Sequence, residues 1–113
     1  MPKTMTWQDY QGHTQCTAKA VNMSHPATYA VMGLASEAGE VAGLWKKIMR
    51  DRAGIVSPKD RQDIKLELGD CLWYIAQVGL ILDLTLEEIA ACNVDKLQDR
   101  LSRGVINGNG DHR

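Results

Sequence analysis

Four carboxylates stand at matched spacings in this chain, Glu37 with Glu40 and Glu67 with Asp70. The spacing within each pair is i, i+3, which on an α-helix puts both carboxyls on one face about a turn apart. Their surroundings are apolar. At about 100° per residue, Ala30, Leu34, Ala38, Val41, Leu44, Trp45 and Ile48 fall in one apolar arc, with Glu37 inside it and Glu40 at its edge. Lys46 and Arg50 point the other way. Glu67 and Asp70 align with Tyr74 on a stretch, residues 66–82, that is apolar almost all round. An isolated ionised carboxylate taken from water costs on the order of several kcal/mol, so such groups are paired, protonated or bound to a cation. Oxygen-only ligands with few bases nearby suit a hard cation, Mg²⁺ or Mn²⁺, and Mg²⁺ typically recruits substrate phosphate for its remaining positions. A di-iron carboxylate centre needs Glu-x-x-His on two helices. None of His13, His25 and His112 follows a Glu by three.

The elements that must position these acids follow from caps and period. Thr6 with Asp9 makes a capping box that opens a helix over about residues 7–22. Ser24 followed by Pro26 starts a second helix, reaching about Arg50. Residues 51–60, with Gly54 among them, read as a loop. Ser57, Pro58 and Asp60 then supply the cap, first and third positions of a third helix reaching about Leu82. Thr85 and Glu88 form another capping box for a fourth helix through about Arg103. No segment alternates with period two, so the expected fold is all-α: a four-helix bundle over residues 1–103 with a Gly-rich tail over 104–113. The tail is either a frayed terminus or a flap over a bound ligand. If helices two and three pack as an antiparallel hairpin, Glu40 lies about ten residues before the turn and Glu67 about ten after it. At 1.5 Å rise per residue both pairs then stand about 15 Å from the turn. They meet at one level.

Composition narrows the function. A chain of 113 residues fits one domain. Its net charge of -1, with acids and bases mixed along the chain, gives no basic field for a nucleic-acid backbone. The N-terminal "MPKTMTWQDY" lacks the apolar run of a signal peptide, and no stretch of about 18 uncharged apolar residues suggests a membrane span. A cytoplasmic location is expected. Cys16, Cys71 and Cys92 include no CxxC pair, which argues against a disulfide framework or zinc site and for small core residues. Leu66, Trp73 and Leu80 give the third helix a second apolar stripe that a lone domain of this size leaves uncovered, so an oligomer is expected.

The two acidic pairs in the contexts "GLASEAGEVAGLWKK" and "ELGDCLWYIA" resemble the MazG-like nucleoside triphosphate pyrophosphohydrolases. Downstream, "NVDKLQDR", with Asn93, Lys96 and Arg100 at helical spacing, resembles the family's third helical motif. The tail "RGVINGNGDHR" is similar to the Gly-rich end of short, single-domain members, and the resemblance spans about residues 25–113. It implies an all-α domain that hydrolyses the α–β bond of an NTP or dNTP to the monophosphate and pyrophosphate. It further implies that Glu37, Glu40, Glu67 and Asp70 bind Mg²⁺, in a site built by homodimers or homotetramers. One departure is Ser36, where longer members often place a further acid.

Hydrolysis of a phosphoanhydride needs charge neutralisation, a positioned water and a base. Glu37, deepest in the apolar arc, is expected to orient or deprotonate that water, because burial raises proton affinity. Lys96 and Arg100, at i and i+4, are expected to meet phosphates, and Asn93 to hydrogen-bond phosphate or sugar. Their alternative is a solvated polar face beside Asp95 and Asp99. Tyr74 is expected to stack on the base. A narrower dUTP or dCTP pyrophosphatase stays open. So does a helical interaction module with no Mg²⁺-dependent stability.

Overall fold

The computed structural model describes residues 4–19 and 23–113. Those residues form α1 (Trp7–Ala18), α2 (Pro26–Arg52), α3 (Pro58–Ile81) and α4 (Leu86–Ser102), with no strand among them. The fold is all-α, as the patterning requires. No described helix is long and apolar enough to cross a membrane.

Local chemistry explains where the helices begin. Thr6, Ser57 and Thr85 each accept a hydrogen bond from the backbone N–H three residues on, while Asp9, Asp60 and Glu88 reach back to the cap N–H. This reciprocal bonding satisfies donors that a helix start leaves unpaired. α2 begins differently. Its cap is His25 rather than Ser24, and no side chain caps it. Pro26 accounts for the start, because its ring presets the backbone and it has no N–H to satisfy. The far ends differ from the expected ones too. α1 ends at Ala18 with Lys19 as its cap, and residues 20–22 of the longer expectation lie outside the described residues. α2 runs past Arg50 to Arg52 and stops where Ala53 turns left-handed, at φ 53°.

α2 and α3 form the expected hairpin, and its turn is clamped. The Arg52 guanidinium donates to Asp60 Oδ1 at 2.6 Å and to Ser57 Oγ at 3.3 Å. Arg52 and the Ser57 backbone N–H hold the Asp60 carboxyl well below the usual carboxylate range. Among the described residues α2 packs on α3 alone, whereas α3 also carries α1 and α4. α3 is therefore the axis of the chain.

α1 covers the stripe read as an oligomer face. Trp73 Nε1 donates to Thr17 Oγ1 at 2.7 Å, and Gln77 Nε2 to Thr14 Oγ1 at 2.9 Å. Trp73 and Leu80 are half-buried in consequence, and only Leu66 of that stripe stays exposed, at 59%. The apolar surface left open lies elsewhere. Ala38 and Trp45 of the α2 arc are exposed, as are Leu68 and Met49, because α3 covers a strip narrower than the arc. Ala30, Ile48, Ala76 and Leu86 are the buried apolar residues described. Cys16 and Cys92, expected in the core, are exposed, and Cys71 is only partly shielded.

Gln11 joins three elements through one side chain. Its amide donates to Leu84 O at 3.2 Å and Ala76 O at 3.4 Å, and its Oε1 accepts from Leu86 N at 3.0 Å. It thereby satisfies backbone groups at the α3–α4 junction from within α1, while itself only 6% exposed. Truncation would leave the Leu86 N–H, at a buried helix start, without its partner. Gln11→Ala is expected to lower the unfolding free energy by about 2–3 kcal/mol, read by urea denaturation.

Candidate functional site

The hairpin brings three of the four acids together. Glu37 from α2 and Glu67 and Asp70 from α3 each offer a carboxylate oxygen, all within 4.8 Å of one another. Glu37 and Glu67 are half-buried and Asp70 is exposed. Glu40, expected to share the level, is exposed and lies outside this trio. One helical step of i+3 rotates it toward the edge of the arc, from where its charge still reaches Glu67.

The electrostatics are those of like charges in a partly shielded place. A hydrogen bond with Glu37 holds the Glu67 carboxyl above its ordinary value of 4.5, and burial and the charges of Glu37, Asp70 and Glu40 push the same way. Like charges so close favour the protonated form of Glu67. None of the ion pairs among the described residues involves any of the four acids. The field extends to neighbours. Burial, then Glu37, Asp70 and Glu67, raise the Cys71 thiol. On α1, burial and Asp70 raise the Tyr10 hydroxyl. The donor set fits a divalent hard cation, whose charge would offset a repulsion that no side chain here relieves.

A pocket of about 410 Å³ opens beside the acids, lined by Tyr29, Met32, Gly33, Ser36, Glu37 and Tyr74. Glu37 belongs to both the pocket and the cluster. A hydrogen bond with Tyr29 leads the causes that push the Tyr74 hydroxyl up to about 12, followed by burial. The two rings lie 6.0 Å apart at 49°, and Trp73 meets Tyr74 edge-on at 5.0 Å. Tyr74 rests on the α2 backbone at Gly33, where a Cβ would overlap the ring.

α4 packs on α1 and α3, with no contact to α2 among the described residues. Asn93 is exposed in an apolar groove of about 290 Å³ shared with Trp7, Leu72 and Ile89. Lys96 and Arg100 instead hold Asp111 of the tail, and Arg100 is only 4% exposed. Neither pairs with Asp95 or Asp99, the neighbours expected for a solvated face. Asp99 pairs with Arg103.

Sequence reasoning left Tyr29 unassigned and missed Gly33 and Asp111. For the first two a signal existed: Tyr29, Gly33, Ser36 and Glu37 follow i, i+4, i+7, i+8, one helix face. Asp111 had none, because its place depends on how the tail turns.

The family model for the MazG nucleotide pyrophosphohydrolase domain matches residues 26–104. The chain is also similar to the "Gene 37 protein" of Mycobacterium phage L5, 48% identical over 86 residues that span 76% of this chain and 75% of the phage protein. No solved structure matches it.

Two outcomes follow from the geometry. Above pH 4.5 and up to the raised value of Glu67, the folded chain holds a proton that the unfolded chain has lost. Stability therefore falls as pH rises through that window. Thermal melts in chelator are expected to give this slope in the wild type and a shallower one in Glu67→Gln. Separately, Gly33→Ala is expected to cost about 1–3 kcal/mol in urea unfolding, because overpacking against Tyr74 outweighs alanine's better helix propensity.

Proposed function

The chain belongs to the MazG nucleotide pyrophosphohydrolase family, and from that premise we propose that it is a Mg²⁺-dependent enzyme cleaving the α–β bond of NTPs or dNTPs to the monophosphate and pyrophosphate. The observation that carries this reading is the convergence of Glu37, Glu67 and Asp70 from two helices, with no ion pair to any of them among the described residues. When bound there, Mg²⁺ would supply charge neutralisation on the phosphate oxygens and lower the proton affinity of the attacking water. Mn²⁺ has the same ligand preference and can substitute.

The chain's own groups do the rest. Glu37, Glu67 and Asp70 would hold the cation, with Glu40 adding negative potential from the edge. Glu37 accepts the proton of the water, since it alone lines both the acid cluster and the adjoining pocket. Water oxygen adds to phosphorus of the anhydride, the bridging oxygen leaves on the other phosphate, and the proton passes to a Glu37 carboxylate oxygen. The nucleoside occupies the pocket between Tyr29 and Tyr74, whose rings offer a stacking surface.

Asn93, Lys96 and Arg100 bind the phosphates from a second copy, a reading supported by the lack of contact between α4 and α2 among the described residues. The dimensions support an oligomer, a homodimer or homotetramer. The radius of gyration is 17.1 Å, against about 13 Å for a compact chain of this length. The exposed surface is 8614 Å², against about 6,200 Å² expected from the mass. A difference of roughly 2,400 Å² per chain matches what obligate homodimers bury.

The test is a panel of common NTPs and dNTPs incubated with Mg²⁺, with products separated by ion exchange. Monophosphate and pyrophosphate are expected, with kcat reduced by about a hundredfold or more in Glu37→Gln and Asp70→Asn. Mg²⁺ should raise the melting temperature of the wild type and not of Asp70→Asn. Diphosphate and free phosphate as products, or no Mg²⁺ response in either protein, would overturn the assignment.

A further inference from the structure

The residues after α4 fold back along it and close on themselves. Gly104, at φ 71°, reverses the chain, and the Val105 N–H then returns to Arg100 O at 2.9 Å. The Arg113 guanidinium donates to the carbonyls of Val105 at 3.1 Å, Ile106 at 2.9 Å and Gly110. Arg103 in turn donates to Arg113 O at 2.7 Å. One side chain thus gathers the whole tail. The result is that Asp111 Oδ1 lies 3.1 Å from Lys96 Nζ and 3.2 Å from an Arg100 guanidinium nitrogen. The same Arg100 nitrogen also donates to Gly110 O at 3.3 Å.

An anionic oxygen shared between an ammonium and a guanidinium is the arrangement a phosphate oxygen adopts on such a pair. We propose that Asp111 is a built-in competitor for the substrate's phosphates at Lys96 and Arg100, so that the tail must release those two cations before the polyphosphate can use them. This rests on the reading of Lys96 and Arg100 as phosphate ligands. Two features suit a competitor rather than a permanent brace. The Asp111 side chain is 75% exposed, so its pairing is screened by water and yields readily. Its tether to Arg100 is short, and an attached group of this reach competes at an effective concentration on the order of millimolar.

A polyphosphate brings several charges and several oxygens against one carboxylate. It displaces Asp111 where a monophosphate does so poorly, and the returning carboxylate favours departure of the spent product. Occupancy of the closed form lowers apparent affinity in proportion to the open fraction.

The experiment is calorimetric titration of the full chain with inorganic tripolyphosphate in chelator, which isolates phosphate binding from the metal and from turnover. Asp111→Asn is expected to bind about threefold to tenfold more tightly than the wild type. Arg113→Ala, which loosens the tail and leaves Asp111 intact, should shift affinity the same way. Lys96→Ala, alone or with Asp111→Asn, should lose binding. If Asp111→Asn and Arg113→Ala bind no more tightly than the wild type while Lys96→Ala loses binding, the competitor is overturned and the phosphate role of α4 stands. If Lys96→Ala binds as well as its parent, or no protein of the set binds, both fall together.

Discussion

Three carboxylates whose oxygens lie within 4.8 Å of one another repel, and in the absence of a cation something must hold them there. The restraint is mechanical. Two long helices pack along their length, joined by a turn in which Arg52 bonds Asp60 and Ser57, and that packing holds the longitudinal register of α2 against α3. A slip by one turn, about 5.4 Å, would part Glu37 from Glu67. The raised proton affinity of Glu67 is a second accommodation, since taking up a proton there eases the repulsion. Fold stability and ligand affinity are opposed at this point, as they commonly are where a site stores repulsion.

α3 bears the cost of serving every other element. Its faces meet α2, α1 and α4 in turn, which is why its sequence is apolar almost all round. The same arrangement leaves α2 with a single neighbour, so much of its apolar arc faces outward. The geometry of one helix thus dictates both where the acids meet and which apolar surface stays open.

What could be read in advance was local or arithmetical. Cap residues act within four positions, so Thr6, Ser57 and Thr85 announced three of the helix starts. His25 did not, because Pro26 starts a helix with no side-chain cap at all. Equal residue counts on either side of a turn gave the level at which α2 and α3 present their acids. Counting could not rank the four carboxylates, since i, i+3 spacing treats both members of a pair alike while depth depends on how the partner helix is rotated. Hence all four acids were read alike, and Glu67, whose proton affinity is raised, was not singled out. Contacts between distant positions were invisible altogether. Thr17 with Trp73, Gln11 with Leu86, and Asp111 with Lys96 are all set by how the chain returns on itself.

Cys71 sits one residue from Asp70, and its thiol is raised by burial and by the three acids around it. Only the thiolate attacks electrophiles or peroxide. Burial first, and the acids after it, therefore keep the Cys71 thiol in its less reactive protonated form. A divalent ion among the carboxylates would weaken that protection. Thiol reactivity at Cys71 thus becomes a chemical record of the charge state beside it, legible in a protein that is not turning over.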